Sequence, residues 1–473
     1  MTTSKKGCLL GIDIGTTSLK ATVFDASLTP KKSITRDYTL DVHGDFVEFD
    51  ALEYVRMTKE AIGELSAEFD ICALSVDTQC ETLIVTDDDA NPLTKAIVWL
   101  DNRALSQAEE IAAHFPLKTV FEVTGQCEVT PTWPASKLLW LKQNEPDIFN
   151  KIKKIFLLED YVLYHLTGKF VTEETLQSSS LYYDIKNHIW WDEMLSFIGV
   201  SKEQLPEVVP SGKPVGNYDG ILVGTGAMDQ VAGAIGAGVI RPGIVSEMTG
   251  TTMAIFAATD KMPVFTEGSK VPCHLNYDGG YALLSWTPTA GIALKWFKNN
   301  FCESFDFKEL DDLASKVPAG SSGLTFLPYL CGMTMPRYLP DARGVFCGIS
   351  MEHTRAHFVR SILESVACML KDSLESMGVD ASEICSMGGG AKSPLWCQIK
   401  ADMTGKTLVT LKNDETACLG SAILAGVAAG MFNSVEEACK MAVSKNKVYS
   451  PSGDDYTECY QNYLDADKKL FGN

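Results

Sequence analysis

Two segments of the sequence share an unusual pattern and lie half a chain length apart. Each has an apolar stretch, the tripeptide Gly-Thr-Thr and a second apolar stretch: GIDIGTTSLKATVFD at 11–25 and GIVSEMTGTTMAIFA at 243–257. Glycine and small hydroxyl residues between two such stretches are typical of the turn of a β-hairpin. In a chain of 473 residues, a hairpin near the start of each half predicts two similarly built halves.

The rest of the chain alternates between strand-like and helix-like patterns. Strands are expected at 71–76, 82–86 and 96–100, and amphipathic helices at 51–66 and 135–144. This mixture indicates an α/β fold with mixed strand direction. With 45% hydrophobic and 22% charged residues, the chain has ample core, and the disordered and collagen-like classes are excluded.

The overall charge is strongly acidic. The chain has 41 Lys and Arg against 61 Asp and Glu, giving a formal net charge of −20. Such a surface repels nucleic-acid backbones and anionic membranes, and no basic run exceeds a lysine pair. We therefore expect neither nucleic acid nor a membrane as a partner.

The cysteines and histidines indicate a reduced, cytoplasmic protein without a zinc cluster. Fourteen cysteines are scattered along the chain with no CxxC pair, as expected of core thiols in a cytosolic protein. His353 and His357 could share a helix face, but no third ligand is implied, so a solvated face is favoured over a zinc site. Two lysines and a short apolar stretch that Asp13 interrupts fit neither a signal peptide nor a membrane span at the start.

Glycine-rich segments occur at two further places in the sequence. The segment 221–238 runs from an apolar strand through GTGAMD into a helix of small residues, which we expect to be buried between the halves. GGGA at 388–391 follows a strand and precedes helices expected at 394–404 and 417–429. Backbone amides beside threonine hydroxyls suit phosphate oxygens. No Walker motif is present, and Asp229 replaces the third glycine of a dinucleotide fingerprint.

Two aspartates lie at positions where a charged side chain needs a structural or functional explanation. Asp13 lies in an otherwise apolar strand, so it is either at the open end of that strand or holds a cation. Asp229 lies at a strand-to-helix junction, where it is either a helix N-cap or a general base for a substrate hydroxyl. The residues alone leave both alternatives open for Asp229.

Five motifs together resemble the FGGY carbohydrate kinase family, which includes xylulokinases, glycerol kinases and gluconokinases. They occur in the family's order and span nearly the whole chain: GIDIGTTSLKATVFD, TWPASKLLWLKQNE, GTGAMDQVAGAIGAG, MTGTTMA and GGGAKSPLWCQIKADMTGK. The resemblance implies two actin-like, ribonuclease H-type domains, at 1–242 and 243–473, with a cleft between them. It implies a magnesium-dependent kinase that transfers the γ-phosphate of ATP to a sugar held mainly by the first domain.

The resemblance also implies roles for individual residues. Asp229 would be the general base and, with Asp13, would organise Mg²⁺. The residues expected to contact ATP lie in the two hairpin turns, in a later helix and in the GGGA segment: Gly15, Thr16, Thr17, Ser18, Lys20, Gly250, Thr251, Thr252, Gly291, Gly389, Gly390 and Ala391. Those expected to contact the sugar are Gln79, Cys80, Glu81, Trp133, Asp229 and Gln230.

The acceptor sugar is less well defined by the resemblance. Cys80 and Glu81 replace the Arg-Glu pair of glycerol kinases, and a thiol cannot make the paired hydrogen bonds of a guanidinium. Gln230 looks glycerol kinase-like, whereas the segments 287–297 and 326–349 look like xylulokinases and gluconokinases. At 332–336 the family's usual Gly-Glu-Arg-x-Pro has become Gly-Met-Thr-Met-Pro.

We expect a small ketose such as xylulose, a polyol or a sugar acid as the acceptor. Glycerol kinase-like and gluconokinase-like specificities are the alternatives within the family. In a different class, an actin-like fold could be a nucleotide-switched binding module, although Glu81, Trp133 and Asp229 suit a small polyhydroxy ligand better. For Trp133, packing against Trp140 at a helix start remains an alternative to sugar contact. Homodimers are common in the family, and no stretch of the sequence identifies an interface.

Overall fold

The computed structural model describes residues 7–472. The segment from Met1 to Lys6, in which we expect no targeting signal, lies outside the described residues. Within 7–472 no helix is both long enough and apolar enough to cross a membrane.

The first half, from residue 7 onward, contains fifteen strands and nine α-helices. The strands are β1 Cys8–Ile14, β2 Ser18–Phe24, β3 Pro30–Asp37, β4 Asp41–His43, β5 Phe46–Phe49, β6 Ile71–Thr78, β7 Leu83–Thr86, β8 Ala96–Ile97, β9 Lys154–Leu157, β10 Val171–Glu173, β11 Tyr183–Asp184, β12 Ile189–Trp190, β13 Glu207–Val209, β14 Pro214–Tyr218 and β15 Ile221–Gly224. The helices are α1 Ala51–Ser66, α2 Leu105–His114, α3 Leu117–Thr124, α4 Pro134–Asn144, α5 Pro146–Phe149, α6 Leu158–Thr167, α7 Glu174–Gln177, α8 Asp192–Ile198 and α9 Asp229–Ala237.

The second half, as far as residue 472, contains nine strands and seven α-helices. The strands are β16 Ile244–Thr249, β17 Met253–Thr259, β18 Cys273–Leu275, β19 Tyr281–Thr287, β20 Thr325–Leu327, β21 Val345–Cys347, β22 Glu383–Met387, β23 Thr407–Leu411 and β24 Lys445–Tyr449. The helices are α10 Gly291–Phe301, α11 Phe307–Ala314, α12 Arg355–Met377, α13 Pro394–Thr404, α14 Thr416–Ala428, α15 Val435–Ala442 and α16 Thr457–Phe471.

Each half is built on a sheet of the same topology. The first sheet has the order β14-β15-β6-β1-β2-β3, and the second has β18-β19-β17-β16-β22-β23-β24. In both, an antiparallel meander (β1-β2-β3 or β16-β17-β19) adjoins two parallel strands (β6 and β15, or β22 and β23) and an antiparallel edge strand. The two Gly-Thr-Thr segments are the turns of β1-β2 and β16-β17, as the repeat predicts.

The helix that follows the last parallel strand of each half lies between the two sheets. These helices, α9 and α14, form one apolar core with residues of both sheets. They approach so closely that a Cβ on Gly236 of α9 would lie 1.9 Å from the carbonyl oxygen of Thr416, and one on Gly420 of α14 would lie 1.9 Å from that of Ala232. The prediction that the small-residue helix after residue 224 is buried between the halves is therefore confirmed.

The first half also carries an insertion that shapes the cleft. Strands β4, β5, β8, β7 and β9 form a separate sheet, and α2, α3, α4 and α8 pack around a core beside it. Of the expected strands, the one at 96–100 is shorter than predicted, because Asp101 donates its backbone N–H to the Val98 carbonyl in a turn. The helices expected at 51–66 and 394–404 have the predicted bounds.

The cysteines are not joined in disulfides, but His353 and His357 do not share the helix face that the sequence suggests. All fourteen cysteines are free thiols, and most are buried. His357 lies in the first turn of α12, where its Nδ1 interacts with the N-cap residue Thr354, and His353 lies outside the helix. Among the described residues, no group of three potential metal-ligating side chains converges on one point.

Candidate active site

A cavity of about 260 Å³ lies in the cleft between the two halves, and we call it the cleft cavity. All six residues expected to contact a sugar line it: Gln79, Cys80, Glu81, Trp133, Asp229 and Gln230. Thr16 of the first hairpin turn also lines it. The structure therefore brings together residues that are as much as 214 positions apart in the sequence, from Thr16 to Gln230.

The second half closes the other side of the cleft cavity. Ala254 and Ile255 of β17, His274 of β18, and Ser285 and Trp286 of β19 line it there. Burial lowers the pKa of His274 to about 4, so its imidazole is neutral near pH 7. A neutral imidazole and a hydroxyl can each donate and accept a hydrogen bond.

Glu81 is held by a lysine that the sequence patterns do not indicate. The Glu81 backbone is in the left-handed region at φ 57°, which is uncommon for a residue other than glycine. The ammonium group of Lys137, completely buried on α4, donates to the backbone carbonyls of Glu81 at 2.9 Å and of Val98 at 3.0 Å. Burial raises the pKa of Glu81 to about 8 and lowers that of Lys137 to about 7, and the two groups oppose each other's shift. Lys137 thus fixes a strained turn whose carboxylate lines the cavity.

Aromatic side chains join the cavity to the first hairpin turn. Trp99 donates its indole N–H to the Thr16 hydroxyl at 3.0 Å, and Trp133 donates its own to the Glu128 carbonyl at 3.0 Å. Three indoles, those of Trp99, Trp133 and Trp286, line the cavity. Farther along α4, Trp140 packs edge-on against Phe46 at 5.8 Å between ring centroids.

Gln79 is part of a second link to that turn. Its side-chain N–H donates to the Tyr54 hydroxyl at 3.2 Å, and the neighbouring Tyr38 hydroxyl donates to the Gly15 carbonyl. Its side-chain oxygen is buried without a partner. That oxygen is an acceptor available to a ligand in the cavity.

Asp229 is the first residue of α9, and Met228 is the N-cap. The Asp229 carboxylate accepts the backbone N–H of Gln230 at 2.6 Å. Burial and the charge of Asp13 raise the pKa of Asp229 to about 7. A carboxylate with a pKa near the working pH suits general base catalysis.

Three strands bring two further charged side chains beside Asp13. In the sheet register, Asp13 near the end of β1 pairs with Lys20 of β2 on one side and with Asp77 of β6 on the other. Asp13 therefore lies at the open end of its strand, as one of the two alternatives predicts. The Lys20 ammonium already has an anionic partner within the protein. It pairs with the carboxylate of Glu415, at the N-cap of α14, at 3.1 Å.

Asp13 and the carboxyl groups near it carry more negative charge than the positive groups around them balance. Burial raises the pKa of Asp13 to about 6, and burial with the charge of Asp13 raises that of Asp77 well above its usual value. Ser421 of α14 donates to one Asp77 oxygen at 2.6 Å, and the other oxygen is buried without a partner. The charge of Asp13 acts on both Asp77 and Asp229, and one or two of these carboxylates, not three together, could ligate a divalent cation.

A larger cavity of about 610 Å³ lies wholly in the second half. Five of the residues expected to contact ATP line it: Gly250, Thr251, Gly291, Gly389 and Gly390. Two of these glycines have no room for a side chain, because a Cβ would lie 2.2 Å from the Gly250 carbonyl at Gly291 and 2.8 Å from the Thr249 Cβ at Gly390. The cavity is also lined by Lys295, Lys308 and Lys392, so it is cationic where the cleft cavity is not.

The remaining residues expected to contact ATP lie elsewhere. Ala391 lines a separate cavity of about 320 Å³ on the other side of the GGGA segment. Gly15, Thr17, Ser18 and Thr252 lie in the two hairpin turns, which close through Gly15 N–H to Ser18 O at 3.0 Å and Gly250 N–H to Thr252 O at 2.9 Å. These five residues and Lys20 line neither the cleft cavity nor the larger one.

Several residues of the site cannot be identified from the local sequence around them, whereas one of them can. Lys137, His274 and Trp286 are single polar or aromatic residues whose partners are distant along the chain. Asp77, by contrast, interrupts the buried apolar strand β6 just as Asp13 interrupts β1. The same argument about a carboxylate in an apolar strand would have singled it out.

Comparison with known proteins gives consistent matches over the whole chain. Residues 8–238 match the model of the N-terminal domain of the FGGY family of carbohydrate kinases, and residues 246–429 match that of its C-terminal domain. A xylulose kinase of Staphylococcus epidermidis is 29% identical, with 98% of this chain and 97% of the relative covered. A glycerol kinase of Thermococcus onnurineus is 31% identical, with 98% of each covered. The crystal structure of a gluconate kinase from Lactobacillus acidophilus superposes with a TM-score of 0.92 at 26% identity, covering 98% of each chain.

Proposed function

Because the chain belongs to the FGGY family of carbohydrate kinases, we propose that it transfers the γ-phosphate of ATP to a hydroxyl of a small, uncharged ketose or polyol, with Asp229 as the general base. The expectations of a carbohydrate kinase and of two actin-like domains are confirmed. A nucleotide-switched binding module no longer competes with them. We place the division between the domains at residues 242 and 243, within the connection between α9 and β16.

One observation carries the proposal for Asp229. Its carboxylate lines the cleft cavity together with Glu81 and Trp133, while the charge of Asp13 and burial hold its pKa near 7. In phosphoryl transfer the protein mainly orients the attacking hydroxyl and stabilises the phosphate oxygens, and a carboxylate accepts the hydroxyl proton. Asp229 lines the same cavity as Thr16 of the hairpin turn and could accept that proton there.

The charges around the cleft cavity favour an uncharged acceptor over a sugar acid. Two carboxylates, Glu81 and Asp229, line it, and none of its lining residues is a lysine or an arginine. As Glu81 and Asp229 ionise, the carboxylate of a compound such as gluconate would meet increasing repulsion, with no lysine or arginine in the cavity lining to compensate it. Three indole rings can stack on the C–H faces of a sugar, while Gln79, Glu81, His274 and Ser285 supply hydrogen bonds to its hydroxyls.

The larger cavity fits the nucleotide and the carboxylate group fits magnesium. Gly291, Gly389 and Gly390 allow the backbone to approach a ligand closely, and three lysines line the same cavity. Mg²⁺ prefers oxygen ligands and usually binds through one or two carboxylates and substrate phosphates, so Asp13 and Asp229 would hold it, with Asp77 beside them. When bound, the ion would neutralise charge on the transferring phosphoryl group.

A coupled assay of ADP formation against a panel of acceptors tests the proposal. The panel comprises D-xylulose, D-ribulose, L-ribulose, glycerol, erythritol and gluconate, and we expect D-xylulose or another uncharged member to stimulate ADP release. Gluconate, which carries a carboxylate, should be the weakest acceptor. An ADP release rate that no member changes would contradict phosphorylation of these compounds, and preference for gluconate would contradict the charge argument.

Asp229→Asn tests the general base in the same assay. The substitution keeps the shape of the side chain and removes its basicity, so kcat should fall by about 100-fold or more. Adenosine binding, measured by calorimetry, should change little because the nucleotide cavity lies in the other domain and adenosine has no phosphate to engage the metal. Normal turnover by Asp229→Asn would leave Asp229 with only a structural role at the start of α9.

A further inference from the structure

The segment that leads into Asp229 is held by buried side chains as well as by backbone pairing. It runs from Gly224, the last residue of β15, to Met228, just before α9. The Gly226 amide donates to the Glu159 carboxylate (Oε1) at 2.8 Å, and the Met228 amide donates to the Thr175 hydroxyl at 2.9 Å. Glu159 is on α6 and Thr175 is on α7, so both lie far from the segment in sequence.

The Thr175 hydroxyl is itself fixed in direction. It donates to Oε1 of Glu173 at 2.8 Å, which leaves its lone pairs for the Met228 amide. Glu173 in turn accepts the Thr175 amide at 2.7 Å and the Ser211 hydroxyl at 2.9 Å. Thr175, Glu173 and Glu159 are all fully buried, so these bonds do not compete with solvent.

The opposite side of the segment has no room to move. A Cβ on Gly226 would lie 1.9 Å from the Val76 carbonyl oxygen, so the backbone there presses directly on β6. Met228 forms a parallel bridge with Thr78 at the end of the same strand. The segment is therefore clamped between β6 on one side and the Glu159 and Thr175 side chains on the other.

We propose that Thr175 and Glu159 are positioning residues for Asp229: by holding the amides of Met228 and Gly226, they set where the Asp229 carboxylate stands in the cleft cavity. This rests on the proposed role of Asp229 as the general base. The distance of a base from the hydroxyl proton affects the rate steeply, and a misplacement of about 1 Å can cost about 100-fold. Substrate affinity depends on many contacts and is less sensitive to one of them.

Removal of one hydroxyl tests the proposal with little change in shape. Thr175→Val keeps the volume of the side chain and loses both hydrogen bonds, so kcat should fall about 10- to 100-fold while KM for ATP changes less than about threefold. Thr175→Ser keeps the hydroxyl and should retain most of kcat. Should Thr175→Val fail to fold, Thr175→Ala, which also lacks the hydroxyl but is smaller, takes its place with the same expectation.

Thr124→Val is the matched control. The Thr124 hydroxyl is also fully buried, donates to a backbone carbonyl (that of Val120, at 2.8 Å) and accepts a backbone amide (that of Gln126, at 3.3 Å), but it does not contact the segment 224–228. A similar loss of thermal stability in both valine variants, with loss of kcat only for Thr175→Val, supports positioning. An equal loss of kcat in the two, or an equal loss in Thr175→Ser, would overturn it.

A double-mutant cycle separates this proposal from the role of Asp229. If Thr175 acts through Asp229, then Thr175→Val should have little further effect on the residual rate of Asp229→Asn. An inactive Asp229→Asn with a fully active Thr175→Val would overturn positioning and leave the general base in place. A fully active Asp229→Asn would remove the general base itself, whatever Thr175→Val does.

Discussion

Glu81 combines a strained backbone, a buried cation beneath it and a carboxylate that lines the cleft cavity. Burial raises its pKa to about 8, partly opposed by the charge of Lys137. Below this pKa the side chain is mostly a neutral acid, and above it a carboxylate that accepts stronger hydrogen bonds from sugar hydroxyls. The contribution of Glu81 to sugar binding should therefore depend on pH.

Glu81→Gln should show this dependence directly. The variant keeps a neutral side chain at every pH, so the ratio of its sugar KM to that of the parent should be small at pH 6 and should rise to about 10-fold as pH increases through 8. Initial rates at several pH values measure the ratio, and the titration of Asp229 cancels because it occurs in both proteins. Glu122→Gln, at an exposed position of α3, is the control. A ratio that does not vary with pH would show that the Glu81 charge does not bind the sugar.

Asp160 provides a different pH effect, on stability. It is fully buried on α6, one of its oxygens has no partner, and burial raises its pKa to about 8. The pKa of this carboxyl is about 4 in the unfolded chain and about 8 in the folded protein. At pH values between the two, the folded state binds one more proton than the unfolded state. Folding stability should therefore fall as pH rises across this range, by about 1.4 kcal/mol per pH unit for each such carboxyl.

Asp160→Asn should flatten this decline. The amide oxygen can still accept the Leu157 amide, as one Asp160 oxygen does at 3.0 Å, but the side chain no longer titrates. Thermal melts of parent and variant from pH 5 to pH 8, with EDTA present, measure the difference. The parent should lose more of its Tm than the variant over this range, and parallel losses would contradict a raised pKa at Asp160.

At the scale of elements, the crossing of α9 and α14 is the contact least tolerant of change. Gly236→Ala would place a methyl group 1.9 Å from the Thr416 carbonyl oxygen, and the neighbouring atoms are backbone, which cannot rotate away. We expect the free energy of unfolding to fall by about 2 kcal/mol or more. Gly63→Ala, in the interior of α1 with no atom within 4 Å of the new Cβ, should instead raise it by about 0.5–1 kcal/mol. Chemical denaturation of both variants measures these changes, and equal effects would contradict the close approach of the two helices.

The elements that were predictable from the sequence are those with local signals. The hairpins around Gly15 and Gly250, and α9 after the GTGAMD segment, each combine an apolar pattern with turn chemistry in one stretch. The six residues expected to bind sugar could be named only because short motifs resemble a known family. Thr175 and Lys137 could not be found in this way, since each acts through a hydrogen bond to a backbone group more than fifty residues away.

At the scale of the whole molecule, an acidic protein binds an anionic nucleotide. The net charge of −20 repels ATP, and Asp13, which with a pKa of about 6 is mostly ionised near pH 7, adds local repulsion where the terminal phosphate would lie. ATP affinity should therefore depend on Mg²⁺, and replacement of Mg²⁺ by EDTA should weaken it by about 10-fold or more. Calorimetry with adenosine is the control, because adenosine has no phosphate and its binding should not change. Equal ATP affinity with and without the metal would contradict this account of the carboxylates.

The crossing of α9 and α14 has a mechanical consequence for the cleft. Each helix belongs to a different half, and the two backbones touch with no side chain between them at Gly236 and Gly420. A contact without side chains has no rotamers to adjust, so the halves cannot easily slide or separate there. The crossing would then be a pivot for the two halves. A small rotation about it would leave the helices in place and would move the far rims of the cleft by an amount that grows with their distance from the crossing. Trp286 and Trp133, which line the cleft cavity from different halves, would change their separation in such a rotation.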